Sequence, residues 1–207
     1  MNKLSLSSLL CVLLLAGCGG AQSPGPSGPG PEAYAPANLY PLGEGYVWSH
    51  EHDDGIPDTP HATAVSRVIR HDGERYEVSN GSSSDSFEVR PGGIYQLGRS
   101  AWVLKAPIEV GATWPASGGR TARVTSLDER VEVPAGRFEA CARIEESGGD
   151  AGLSVVTIFC PGVGPVWTQV TQHSDLGGAP VEVVARLLGC NLRDRNEGTP
   201  CFDIDAD

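Results

Sequence analysis

Three histidines and three aspartates fall within one short stretch, SHEHDDGIPDTPH (49–61). Residues two apart on a strand share a face, so His50 and His52 project together. His61 opens the return strand and can sit near them. Imidazoles so placed can hold Zn²⁺ or Cu²⁺, and a metal-bound water would make the protein a metal-dependent hydrolase or a metal-binding protein. Asp53, Asp54 and Asp58 add oxygen donors. The same residues also read as a polar hairpin loop, because Asp-Gly and Ile-Pro are turn formers. Other chemistry is sparse. GRS (98–100) and NGSSSDS (80–86) lack Gly-x-Ser-x-Gly spacing, and QHSDLGG (172–178) reads as a turn. There is no phosphate-cradling Gly loop and no dinucleotide fingerprint. The chain therefore reads as non-enzymatic rather than enzymatic, although many enzymes carry no legible motif.

DDGIPD (53–58) resembles the Asp-Gly-Ile-Pro-Asp core of thrombospondin type 3 calcium repeats. That resemblance implies a Ca²⁺ loop, built from carboxylate and carbonyl oxygens on a tight turn. His50 and His52 stand where the repeat has earlier aspartates, and there is one copy rather than an array. No cofactor is required by any motif; Ca²⁺ or Zn²⁺ is the candidate ion. The four tryptophans, Trp48, Trp102, Trp114 and Trp167, either line a groove for an apolar ligand or fill the core of a small β domain.

These residues need elements to position them, and the elements read as strands. Segments 62–70, 75–79, 86–90, 93–98, 101–106, 120–133, 137–146, 153–160, 165–172 and 180–188 are β-rich, and most are bounded by Gly, Pro, Asn or Asp. Ten short strands with short connections imply an all-β fold, an antiparallel meander forming a curved sheet, half-barrel or sandwich. Register is legible in RVEVPAGRFEACARI (130–144). Pairing Val133 with Phe138, Val131 with Ala140 and Leu127 with Ile144 puts the apolar residues on one face. It centres the turn on Ala135-Gly136, with Pro134 leading in. It sends Cys141 to the opposite face, and it sets Glu132 against Glu139, a repulsive pair.

The ends of the chain speak to its compartment. Lys3 and the apolar run over 4–15 are too short to span a bilayer but suit a signal peptide. The run ends in Leu15-Ala16-Gly17-Cys18, which closely resembles the lipobox of bacterial lipoproteins. The resemblance implies cleavage before Cys18, acylation of its thiol, and anchoring through the lipid. Gly19, rather than Asp, resembles lipoproteins sent on to the outer membrane. The expected organisation is a signal peptide over 1–17, a lipid-anchored Pro/Gly/Ser-rich tether over 18–37, a β domain over 38–190 and an acidic tail over 191–207. The formal net charge is −11, and losing Lys3 with the leader makes it one unit more negative. That excludes nucleic acid as a partner and any charge-driven binding to an anionic membrane. Cys11 leaves with the leader. Cys141, Cys160, Cys190 and Cys201 remain, an even number in an oxidising compartment. Neighbour pairing favours Cys141–Cys160 and Cys190–Cys201; zinc binding would want CxxC spacing, which is missing.

VPAGRFEAC and PGVGPVW (161–167), with YPLGEGYVW (40–48) and APIEVGATW (106–114), resemble a loosely defined group of bacterial secreted and lipoprotein domains. Its named relatives are TapB-like and DUF3108-like domains, and the resemblance implies an open or half β-barrel akin to carriers such as LolA. It brings no catalytic residues. The expectation is thus an outer-membrane-anchored lipoprotein whose β domain is a non-enzymatic binding or structural module in the cell envelope, with an apolar ligand or an envelope protein as partner. The alternative is a metal protein using His50, His52 and His61.

Overall fold

The computed structural model describes residues 30–149, 152–173 and 178–192. The expected signal peptide, Cys18, most of the tether, Cys201 and nearly all of the acidic tail lie outside these residues.

Twelve strands form one antiparallel sheet. They are β1 (Val47–Asp53), β2 (Ala62–Asp72), β3 (Arg75–Ser79), β4 (Ser84–Arg90), β5 (Gly93–Gln96), β6 (Ala101–Lys105), β7 (Thr113–Pro115), β8 (Thr121–Val133), β9 (Gly136–Ser147), β10 (Leu153–Cys160), β11 (Gly164–Gln172) and β12 (Val181–Asn191). The order is β6-β5-β4-β3-β2-β1-β12-β11-β10-β9-β8-β7. Every neighbour is consecutive in the chain except β1 and β12, which pair and join the two halves of the meander. The sheet curls into a nearly closed barrel whose seam lies between β6 and β7. Those two strands follow each other in sequence, but the connection between them carries Pro107, and β7 ends on Pro115. Proline donates nothing to a ladder and belongs at sheet edges, which suits an unpaired seam.

All ten strands expected from the sequence are present. β7 is additional, and β1 is the strand on which His50 and His52 were placed. The core is apolar, with Trp48, Leu39, Ile94, Leu104, Val68, Val124, Val166 and Leu187 fully enclosed. The segment expected as tether folds against the barrel from Pro31 onward. Turns over Pro31–Tyr34 and Pro36–Leu39 bury Leu39, and the Tyr34 hydroxyl donates to the Leu127 carbonyl at 2.6 Å.

The β8–β9 hairpin corrects the expected register. Val133 pairs with Gly136, Glu132 with Arg137 and Val131 with Phe138. The turn is Pro134-Ala135, one residue earlier than expected. The slip is two positions, so Val131, Val133 and Phe138 keep their shared face. It also replaces the repulsive Glu132–Glu139 pair with an ion pair, Arg137 Nε lying 3.0 Å from Glu132. Gly136 takes φ +134° and lets the turn close in two residues. The turn docks across the barrel, where the Ala135 N–H donates to the Leu187 carbonyl at 2.9 Å. Beyond it, bulges restore the ladder in a different register, with Ala140 at φ +53°.

Candidate functional site

Gln96, Arg99 and Ala101 at one end of the sheet order meet Val155, Thr157, Thr168 and Val170 of β10 and β11 around a cavity of about 430 Å³. These two groups lie many strands apart in the sheet, so they can share a cavity only across the barrel interior. The register shows how the inner face is made. Val155 pairs with Val170, and Thr157 with Thr168, two positions further along. Glu146 of β9 pairs with Val155 and continues that row. Alternation thus aims aliphatic and hydroxyl side chains into the same space.

A buried ion pair stands in this cavity. Arg120 Nε and Nη2 both donate to one oxygen of Glu146, each at 3.1 Å. Arg120 is 8% exposed and Glu146 22%. The opposite charges cancel, and the pair leaves the cavity near neutral. Arg99 is exposed on the β5–β6 turn at the rim.

A larger hollow of about 510 Å³ lies between the N-terminal turns and the segment around Pro107 and Ile108. Its walls are mostly apolar, with exposed Glu109 as the one charged residue, and its one hydroxyl, that of Tyr34, is already bonded to Leu127. It offers shape but few groups that would orient a ligand, whereas binding sites combine apolar walls with a few placed polar groups. The smaller cavity has both.

The sequence-derived candidates are dispersed. His50 and His52 do share a face of β1. His61 is on the other face: its Nδ1 lies 3.5 Å from Glu51 and its Nε2 3.7 Å from Asp53, the residues that alternate with the two histidines. Arg186 of β12 completes that outer cluster, 3.2 Å from both carboxylates. The expected His50–His52–His61 constellation is therefore not assembled. His50 Nε2 is 3.0 Å from the Pro165 carbonyl, and burial pushes its pKa below the ordinary histidine value. The loop aspartates serve the turn itself. Asp53 accepts from the Gly55 N–H at 2.9 Å and Asp54 from the Ile56 N–H at 3.0 Å, and Asp58 adopts φ +63°. The Gly55 N–H, with Arg186, holds the Asp53 carboxyl below the usual range. Among the described residues no group of three or more His, Cys, Asp or Glu converges on a point where a metal would sit.

The tryptophans do not form one groove. Trp48 is in the core, donating to the Val163 carbonyl at 2.7 Å and packed edge-on to Tyr40. Trp114 is buried with its Nε1 unpartnered. Trp102 borders the cavity and lies edge-on to Tyr95, over which Arg90 stacks at 3.8 Å. Trp167 is half-buried beside Arg186. Cys141 and Cys160 are bonded as expected. Cys190 is also disulfide-bonded, and its expected partner Cys201 lies outside the described residues.

Gln96, Thr157 and Thr168 carried no signal in the sequence. The one readable clue was Arg120 at the start of a long strand and Glu146 at the end of its hairpin partner. The bulges hid it, since the uninterrupted register sets Glu146 opposite Thr125.

No protein-family model matches the chain, and no curated protein matches it. The relation to TapB-like, DUF3108-like or LolA-like domains is accordingly not confirmed. Among solved structures, the chain is similar to a protein of Bacteroides fragilis provisionally described as exported and having a YmcC-like fold, with 13% identity and a TM-score of 0.47 over 74% of this chain and 98% of that one. It is also similar to a protein of Parabacteroides distasonis provisionally described as a lipoprotein, with 12% identity and a TM-score of 0.45 over the same shares. Likenesses this distant carry no function to this chain.

Proposed function

We propose that this chain is a lipid-anchored protein of the bacterial outer membrane whose barrel binds a small molecule in its interior cavity, without catalysing a reaction on it. The observation that carries the reading is the cavity itself. Its volume of about 430 Å³ falls in the range of small-molecule sites, roughly 300–1,000 Å³. Its walls mix aliphatic side chains with hydrogen-bonding groups that converge from strands distant in the sheet. Binding is favoured over catalysis because the Glu146 carboxylate is engaged by Arg120, and none of the five histidines lines the space. Anchoring rests on Leu15-Ala16-Gly17-Cys18, and the outer-membrane assignment on Gly19.

The test is mass spectrometry of small molecules released on denaturing the full chain purified from its native envelope. A molecule released in molar proportion, and lost when Val170→Trp fills the cavity, is the expected result. A folded parent that releases nothing the variant does not would overturn the reading. Anchoring is tested separately by Cys18→Ala, which should move the chain to the soluble fraction; retention in the membrane would refute it.

A further inference from the structure

Gln96 ends β5, opposite Ala101. It is only 8% exposed, and it lines the cavity. Among the described residues its amide makes no hydrogen bond. Among the described residues Trp114 Nε1 is the buried side-chain polar atom left without a partner, so the Gln96 amide, though its residue is largely enclosed, still opens onto the cavity. The Thr157 and Thr168 hydroxyls, opposed across β10 and β11, line the same cavity and likewise have no side-chain partner among the described residues. Three neutral hydrogen-bonding side chains thus face one space, free to bond with what enters it.

The surroundings narrow the chemistry. Arg120 and Glu146 neutralise each other, and the remaining charge of the lining, Arg99, is exposed at the rim, where water screens it, rather than among the inner side chains. An aliphatic chain would take Gln96 and both half-buried threonines out of water and leave them unbonded, which disfavours such a ligand. Val155 and Val170 alternate with Thr157 and Thr168 along the two strands, so methyl groups and hydroxyls alternate every second residue. A molecule that fits such a wall carries C–H and O–H or N–H groups side by side. Gln96 supplies two donors and an acceptor, and each threonine a donor and an acceptor.

We propose that the cavity takes a neutral, hydroxyl- and amide-bearing molecule of the sugar or amino-sugar class, with Gln96 and the Thr157–Thr168 pair as its hydrogen-bonding contacts. This rests on the cavity being a binding site, and the experiment separates the two ideas. The lipidated full chain is placed in nanodiscs, with empty discs as control. Glucose, cellobiose, N-acetylglucosamine and its disaccharide, decanoate and inorganic phosphate are titrated by saturation-transfer NMR. At least one sugar should bind saturably. Gln96→Leu should weaken that binding ten-fold or more while leaving Tm unchanged or raised, since no protein partner is lost. Thr157→Val with Thr168→Val should weaken it in the same direction. Saturable binding of decanoate or phosphate without any sugar, abolished by Val170→Trp, would overturn the ligand class and leave the binding site standing. No binding by any probe would overturn the ligand class; with nothing released from the native chain as well, the site itself would fall. A marked drop in Tm for Gln96→Leu would also overturn it, by showing that the amide has a structural role.

Discussion

Arg120 gives two donors, each 3.1 Å away, to one oxygen of Glu146 inside the barrel. Removing one member leaves the other's charge in a space with no counter-ion, which typically costs 3–5 kcal/mol when a buried pair is broken. Glu146 retains 22% exposure, so water recovers part of this for the carboxylate. Arg120→Ala should therefore cost about 2–3 kcal/mol and Glu146→Ala rather more, because Arg120 is the more enclosed partner. Urea unfolding of the three proteins measures it. Midpoints that coincide with the parent's would show that the pair contributes nothing to stability.

His50 should make stability depend on pH. Burial is the main cause of its lowered pKa, opposed by the bond to the Pro165 carbonyl and assisted by neighbouring His52. The folded state then binds a proton less readily than the unfolded chain, whose histidine titrates near 6.5. The contribution is fully present above pH 6.5 and is lost as pH falls through the lowered folded value. Between pH 7.5 and 5 the parent should lose more stability than His50→Gln. Parallel pH curves for the two proteins would sink this account.

Gly93 sets how closely β5, the strand that carries Gln96, approaches β6. At φ +140°, a Cβ added there would stand 2.0 Å from the Leu104 carbonyl oxygen. Backbone cannot yield as a flexible side chain does, so Gly93→Ala must shift β5 against β6. The expected cost is at least about 3 kcal/mol, with loss of binding in the cavity. Gly73→Ala, at a turn with nothing within 4 Å of the new Cβ, is the control and should cost less.

The strands were legible because β-branched and apolar residues recur between turn formers, a local pattern that survives curling of the sheet. The pairing of β1 with β12 was not, since nothing local states which strands close a barrel. The shared face of Val131, Val133 and Phe138 was legible and the turn missed by one residue, because hydrophobic alternation fixes parity but not a slip of two. The bulge at Ala140, which alternation does not reveal, pairs Cys141 with Glu129 and Ile144 with Val124 rather than Leu127, and buries Cys141 with Phe138 instead of sending it to the opposite face. In the observed register, closed by a two-residue turn before Gly136, Glu132 meets Arg137 instead of Glu139. The histidine cluster misled in the same way: His61 is close in sequence to His50 and His52, yet alternation along β1 puts Glu51 and Asp53 on its side. The cavity was hidden because its walls come from strands at opposite sides of the interior, joined by long-range closure.

Cys141 and Cys160 occupy the next register position after the Ala142–Phe159 pair of β9 and β10, so the bond ties two strands already laddered together. Its sequence separation is 19. By loop entropy, such a link restrains the unfolded chain by about 3 kcal/mol. Cys141→Ala with Cys160→Ala should lose about that much, and chemical reduction of the parent nearly as much. Agreement between the two would assign the effect to the covalent link; a far larger loss in the double variant would assign it to packing, since both sulfurs are buried. The cavity lies toward the other end of β10, around Val155 and Thr157. Ligand release from the folded double variant should therefore match the parent's. A protein that stays folded but no longer holds its molecule would mean that the bond sets the barrel's shape as far as the site.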